Sequence, residues 1–419
     1  MKTEMRQSVV MVKGKLVLPD AVAEGAVIVR NGIMEEVLLG AEQVQSWLAQ
    51  QGGVAENVGE REHDGRGVGN SGSAALEIIE EDSCYVLPGL IDIHCDAIEK
   101  EVQPRPNTLF PLSMSLLEFE RKLPLHGITT MYHSLSLGVG LSLRGEHLLT
   151  QMVELIRSYR EQRSVVRNLI HLRYEISYLP GLPIVKRYVD EGAIDYLSFM
   201  DHSPGQGQYR QPGSFERYVM KNQSVSIDEV NAIVAELMEN RRQIDWSGLE
   251  ELGKLAVQRG ISVASHDDDS SERVDQLKGC GVSISEFPIT LETALYAVQQ
   301  GLHVCVGAPN IVRGGSHDKN LSAAEAIGMG AADIICSDYH PSALLHAIFK
   351  LADEGIAALP AAVRTATLAP AEALGIASEV GSLEQGKAAD LVIVDRYEGH
   401  PWVKRTIVGG KTVYTALTR

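Results

Sequence analysis

The stretch VLPGLIDIHCDAIEK, residues 86–100, decides the fold. Val86, Leu87, Leu90, Ile91 and Ile93 read as a buried strand that delivers two metal-ligand types, His94 and Asp96, at its carboxyl end. Residues two apart on a strand share a face, so this pair is expected to reach one ion without special backbone geometry. Cys95 lies between them on the opposite face and reads as a packing residue.

The same event recurs downstream. Candidate strands cover 86–94, 128–133, 168–175, 195–202, 261–266, 282–287, 302–307 and 334–338, separated by helix-length amphipathic segments. Eight strands alternating with helices predict an α/β fold, a (β/α)8 TIM barrel. The competing reading, a doubly wound open sheet, is weakened because no Gly-x-Gly-x-x-Gly follows the first strand. Short alternating runs at 8–36 and 388–416 predict a small β-sandwich domain built from both termini. The expected division is 1–85 for its N-terminal part, 86–377 for the barrel and 378–419 for its C-terminal part. Residues 51–73, rich in Gly, Glu and Asn, read as a flexible insertion.

Size and charge narrow the function. A chain of 419 residues has room for one large barrel and a smaller domain. Lys and Arg number 38 against 55 Asp and Glu, a formal charge of −17, which argues against a nucleic-acid surface. Any anion bound here needs a local cationic site. Five scattered cysteines without a CxxC pair fit reduced thiols. No membrane span or signal segment is read, so cytoplasm and no membrane partner are expected, as is a homo-oligomer.

In a TIM barrel the chemistry sits at the carboxyl ends of the strands. Those ends carry His94 and Asp96, His133, His171 to Glu175, Asp201 and His202, His266 to Asp268, and Asp338. Imidazole with carboxylate suits zinc, manganese or iron(II). Six ligands suggest two divalent ions, zinc first among the candidates. Glu175 is the expected bridge because a carboxylate spans two ions; its alternative role is as partner to Arg173. Asp338 could bind an ion and also accept the proton of the attacking water.

The motifs PGLIDIHCD, ASHDD, SDYHP and the closing GSLEQGKAADLVIVD resemble the amidohydrolase superfamily of metal-dependent hydrolases. More closely, GLIDIHCDAIEKEVQPRP, HLRYE, MDHSPGQGQY, SHDDD, SEFP, GAPNIVRGGSH and SDYHPSALL resemble the diphosphatases of the carbon–phosphorus lyase pathway (PhnM type). The resemblance implies hydrolysis of α-D-ribose 1-methylphosphonate 5-triphosphate to the 5-phosphate and pyrophosphate. By position it assigns metal roles to His94, Asp96, Glu175, His202, His266 and Asp338. Asp96 stands where the wider superfamily more often has a second His, and Asp267 to Asp269 and the 51–73 insertion are less typical.

Basic residues on strand-end loops fit an anionic, phosphorylated riboside independently. Lys100 and Arg105 follow the first strand, Arg210 follows His202, and Arg313, Gly314, Gly315 and His317 follow the seventh strand. Arginine beside Gly-rich backbone offers a bidentate fork and N–H donors to phosphate oxygens. The expected mechanism is attack of hydroxide, made available by the ions, on the phosphorus nearest the ribose. Asp338 takes the proton and His317 protonates the leaving pyrophosphate. The enzymatic alternative is cleavage of the C–N bond of an amide, cyclic amide or N-acyl amino acid, and the non-enzymatic one is a scaffold barrel. The segment 203–225 could close as a lid.

Overall fold

The computed structural model describes residues 9–51, 56–57, 76–105, 108–138, 145–209, 213, 227–315 and 321–417. Eight strands run in sequence order around a parallel barrel: β6 (Leu90–Cys95), β7 (Ile128–Leu137), β8 (Arg167–Glu175), β9 (Tyr196–Met200), β10 (Ser262–His266), β11 (Ile284–Glu286), β12 (His303–Gly307) and β13 (Ile334–Cys336). Each expected strand has its counterpart among these eight. The ring closes at its upper end, where Asp96 N donates to Asp338 O at 2.8 Å and Asp338 N donates to His94 O at 2.9 Å. Asp92 Oδ1 also accepts from Ser337 N across this seam, at 3.0 Å.

The alternating pattern of the strands sends one set of residues inward and the other toward the helices. Ile91, Ile93, Tyr132, Tyr196, Ala264, Ile284, Cys305 and Ile334 pack together with Ala369 and Ala371 of the helix Leu368–Ala373, which plugs the lower end. Outside, helices begin at side-chain caps: Asp245, Ser270 and Thr290 accept from the backbone N–H three residues on. The helix Trp246–Gln258 buries Leu249, Leu252 and Ala256, each large apolar side chain contributing about 2 kcal/mol. Gly253 is required there, since a Cβ would stand 1.7 Å from Cys280 O.

The termini build a second, mostly antiparallel sheet. Its order is β16 (Lys411–Thr415), β15 (His400–Val408), β14 (Leu391–Tyr397), β5 (Leu76–Pro88), β1 (Val9–Val17), β2 (Val22–Arg30) and β3 (Ile33–Leu39), with the two-residue β4 (Glu56–Asn57) also on β5. Period-two alternation makes both faces apolar. Val12, Val27, Leu391 and Ile393 lie on one, while Met11, Ala26 and Ile28 on the other are covered by Val44 and Trp47 of the helix Gly40–Gln50. Of the expected 51–73 insertion only residues 51, 56 and 57 are described, so its looseness lies outside the described residues.

The deciding stretch is two strands rather than one. Val86 to Pro88 finish β5 in the terminal sheet, paired with Leu391 to Ile393, and the barrel strand starts at Leu90. Gly89 makes the passage: a Cβ there would stand 2.1 Å from Thr129 Oγ1. The expectation of plain strand geometry at His94 and Asp96 is also overturned. The β6–β7 register shifts between Asp92 and Cys95, and Asp96 lies past the strand as the residue before the helix Ala97–Val102. Such bulges beside a site re-aim side chains.

Candidate metal centre

The mouth of the barrel is shaped by unusual backbone. Among the described residues five non-glycines have positive φ; Asn31 and Glu398 turn hairpins, and the other three end barrel strands. Asp267 (φ 57°) follows β10, Phe287 (φ 55°) follows β11 and Asp338 (φ 56°) follows β13. A bulky residue such as Phe287 in this region is strained, and such strain concentrates at functional sites. Backbone bonds hold each turn: Asp267 N to Glu286 O at 2.8 Å, Phe287 N to Cys305 O at 2.9 Å, and the seam bonds at Asp338. The Phe287 ring packs edge-on against His94 at 4.9 Å between centroids and tilted against His266 at 5.3 Å.

Two triads of ligand atoms result, His94 with His171 and Glu286, and His202 with His266 and Asp267; within each the atoms lie within 4.8 Å of one another. His94 Nδ1 is 3.0 Å from Glu286 Oε1, and His202 Nδ1 is 3.0 Å from Glu175 Oε2. Neither imidazole nitrogen is hydrogen-bonded, nor are the buried atoms Asp267 Oδ2 and Glu286 Oε2. Buried polar atoms without partners call for an ion or water, and this His/Asp/Glu set is the donor chemistry of a divalent metal centre. The residues present therefore fit a metal.

Electrostatics agree. Burial, reinforced by Arg173 and His266, holds the His94 imidazole well below its ordinary pKa, so it is neutral and able to ligate. His171 is held low mainly by burial as well. Burial pushes Asp267 up, but His266, His202 and Arg173 outweigh it and keep its carboxylate below the usual range. Asp338 goes the other way, pushed up to about 7 by burial and by the charge of Asp96.

Of the six expected ligands, His202 and His266 share one triad, Glu175 attaches to His202, and His94 sits in the other. Asp96 belongs to neither; its Oδ2 lies 3.7 Å from Arg173 Nη1. Glu175 Oε1 accepts from Ser177 Oγ at 3.0 Å and from His202 N at 3.2 Å, so it is not the partner of Arg173. Asp201 serves structure: its Oδ2 is 3.1 Å from Arg241 Nε and 3.6 Å from Arg273 Nη2. The triple aspartate divides its work. Asp267 faces the site, Asp268 accepts from Ser265 and Ser285 hydroxyls at 2.5 Å, and Asp269 accepts from Gly207 N at 3.0 Å.

His133 is not at the mouth. β7 runs on to Leu137, leaving His133 in mid-strand, where its Nε2 meets Asn168 Oδ1 at 2.8 Å and Asn168 in turn donates to Glu120 at 2.6 Å. Arg173, His171 and Glu286 are the participants that strand-end reading undervalued. The available signal was parity, since 171, 173 and 175 share one face of β8. Glu286 takes the Tyr196 hydroxyl at 2.9 Å, and His171 contacts Ser134 and Ser198 hydroxyls at 3.0 and 2.9 Å.

The expected phosphate cations are on the rim. Lys100, Arg105 and Arg313 are exposed, Lys100 lying 4.9 Å over the Tyr339 ring. Gly314 caps the helix Ala308–Arg313 with φ 78°, and Gly315 N bonds back to Asn310 O at 3.0 Å. Arg210 and His317 lie outside the described residues, as does most of the 203–225 segment.

Residues 221–413 match the amidohydrolase family. Over 355 residues the chain is 33% identical to the alpha-D-ribose 1-methylphosphonate 5-triphosphate diphosphatase of Escherichia coli (strain K12), covering 83% of this chain and 93% of that protein. Among solved structures, a Xaa-Pro dipeptidase with bound methionine matches at a TM-score of 0.61 and 14% identity, covering 98% of this chain and 100% of that one. The L-hydantoinase of Arthrobacter aurescens matches at 0.58 and 15%, covering 96% and 95%. At these identities the structural likenesses speak to the fold.

Proposed function

The chain belongs to the amidohydrolase family, and on that premise we propose that it is a metal-dependent hydrolase of phosphonate metabolism. The proposed reaction cleaves α-D-ribose 1-methylphosphonate 5-triphosphate, or a close analogue, to the 5-phosphate and pyrophosphate. The observation that carries this reading is the 33% identity to the E. coli diphosphatase across 83% of the chain. Two divalent ions, zinc before manganese or iron, are proposed for the set His94, Asp96, Glu175, His202, His266 and Asp338, with Asp267 and Glu286 alongside. Bound there, divalent ions supply Lewis-acid activation of water and neutralise charge on phosphoryl oxygens.

The chain's own residues do the rest. Asp338, a carboxylate at the end of the last barrel strand, is proposed to accept the proton of the attacking water. Its left-handed backbone is fixed by the seam bonds to His94 and Asp96, and its carboxyl feels the charges of Asp96, Arg173, His266 and Asp267. Lys100, Arg105, Arg210, Arg313, Gly314, Gly315 and His317 are proposed to take the triphosphate, with His317 donating the proton to leaving pyrophosphate. Phe287 covers His94 and His266 from the side and keeps bulk water off them.

The test is a product assay. Metal-loaded protein is incubated with a panel of 5-triphosphorylated ribosides and of N-acyl and cyclic amides. Release of pyrophosphate with a 5-phosphate product is expected. Release of an amine with no pyrophosphate would replace this reading with the C–N hydrolase.

A further inference from the structure

Arg173 is the only Lys or Arg that is buried among the described residues, at 5% exposure. It rises along β8 two residues before Glu175, and its guanidinium enters the middle of the ligand set. Nη2 lies 3.0 Å from His266 Nε2, Nη1 lies 3.7 Å from Asp96 Oδ2, and Nε is buried without a hydrogen-bond partner. A guanidinium carries five donors and no acceptor, and it stays charged in proteins. The His266 nitrogen that it meets must therefore present its lone pair. The other ring nitrogen, Nδ1, lies 3.3 Å from Asp267 Oδ1 and takes the proton.

A metal ion held through Nε2 would need that same lone pair, and one lone pair serves one partner. Arg173 and an ion at His266 Nε2 thus exclude each other. The guanidinium also has somewhere to go, because Asp96 Oδ2 already lies on its other side and that carboxylate keeps a second oxygen for an ion. Without any cation, Asp96, Asp267 and Asp338 would face one another with only imidazoles between them.

We propose that Arg173 is a displaceable stand-in cation: it holds His266 Nε2 in the metal-free chain and gives it up when an ion binds. This rests on the metal-site part of the reading above, not on the substrate. The arginine lowers metal affinity while keeping the empty ligand set folded, two opposite effects from one side chain. A merely structural arginine would strengthen both or leave metal binding untouched.

The experiment measures zinc affinity by competition with a chromophoric chelator, together with metal-free thermal melting, for the wild type, Arg173→Met, Arg173→Lys, His266→Ala and the double variant Arg173→Met/His266→Ala. Arg173→Met is expected to bind zinc roughly ten- to hundred-fold more tightly, a scale typical of groups that act on a ligand from outside. Its metal-free form is expected to melt earlier than the wild type. On the His266→Ala background the gain should vanish, because the contested nitrogen is gone. Should Arg173→Met fail to fold without metal, Arg173→Lys carries the comparison with a smaller gain, since lysine keeps charge but loses the fork. Zinc binding that is unchanged or weaker in these variants, or a gain that survives His266→Ala, overturns the proposal. No substrate enters the measurement, so an inactive wild type on triphosphorylated ribosides would count against the proposed reaction alone.

Discussion

The floor and the rim of the barrel mouth place charge in opposite ways. On the floor, Arg173, Glu175, Glu286 and the four site histidines are buried or nearly so, and backbone or packed side chains fix each one. On the rim, Lys100, Arg105 and Arg313 stand in solvent on loops. A charge already removed from water acts on a neighbour with little screening, whereas an exposed one is screened within about 10 Å by salt. The floor should therefore govern chemistry and metal retention, and the rim should govern capture of an anionic substrate.

The largest effect belongs to the floor. Asp338→Asn is expected to lower kcat by roughly a hundred- to ten-thousand-fold, the usual worth of a positioned proton acceptor. Asparagine tolerates the left-handed backbone at φ 56°, so the strand end should survive the change. Steady-state kinetics alongside metal analysis checks this; a variant of near-normal rate would remove Asp338 from the proton path.

Two histidines sharpen the division next. His266→Ala should strip bound metal with modest loss of stability. His133→Ala should do the reverse: it leaves Asn168 Oδ1 short of a partner in the barrel wall, costing about 1–3 kcal/mol, with metal content unchanged. Elemental analysis and denaturant melts of both variants decide it. Metal loss in His133→Ala would mean that the wall and the mouth are one cooperative unit.

The third effect is a pH dependence of the metal-free protein. Burial and Asp96 raise the folded pKa of Asp338 to about 7, above the ordinary carboxylate value near 4. Below about pH 4 both folded and unfolded chains hold this proton, and no difference arises. Between about 4 and 7 the folded chain keeps a proton that the unfolded chain has lost, so stability from this group falls as pH rises. Above that range the penalty is complete. Metal-free Asp338→Asn should thus match the wild type in acid and exceed it by pH 8, by on the order of a few kcal/mol. Parallel curves at all pH values would show that Asp338 ionises freely in the folded chain.

How far the sequence could carry the site follows from the same contrast. The ordered strand ends made the barrel and the ligand types legible, because period-two apolar runs and imidazole or carboxylate at their ends are local signals. Gly89 hid the switch from one sheet to the other, since its reason is Thr129, forty residues away. The bulge before Asp96 depends on the seam with β13, which pairs residues some 240 apart in the chain. His133 misled because β7 outruns the length its polar residues suggested. Arg173 was visible only as a charge; its place between Asp96 and His266 depends on the approach of three strands.

The smallest expected effect tests the rim. Arg313 ends the short helix Ala308–Arg313, is exposed, and is followed by Gly314 and Gly315. An exposed cation is worth about 0–1 kcal/mol to a fixed partner, and the mobile triphosphate of the proposed substrate would engage it less than fully. Arg313→Ala should therefore raise KM by roughly two- to five-fold, leave kcat unchanged, and lose most of its effect in high salt. The same should hold for Lys100→Ala, whose ammonium is already held over Tyr339. A large fall in kcat that persists in salt would mean that Arg313 reaches the reacting phosphoryl group. In that event the loop after β12 folds down into the mouth during turnover, and floor and rim are one surface.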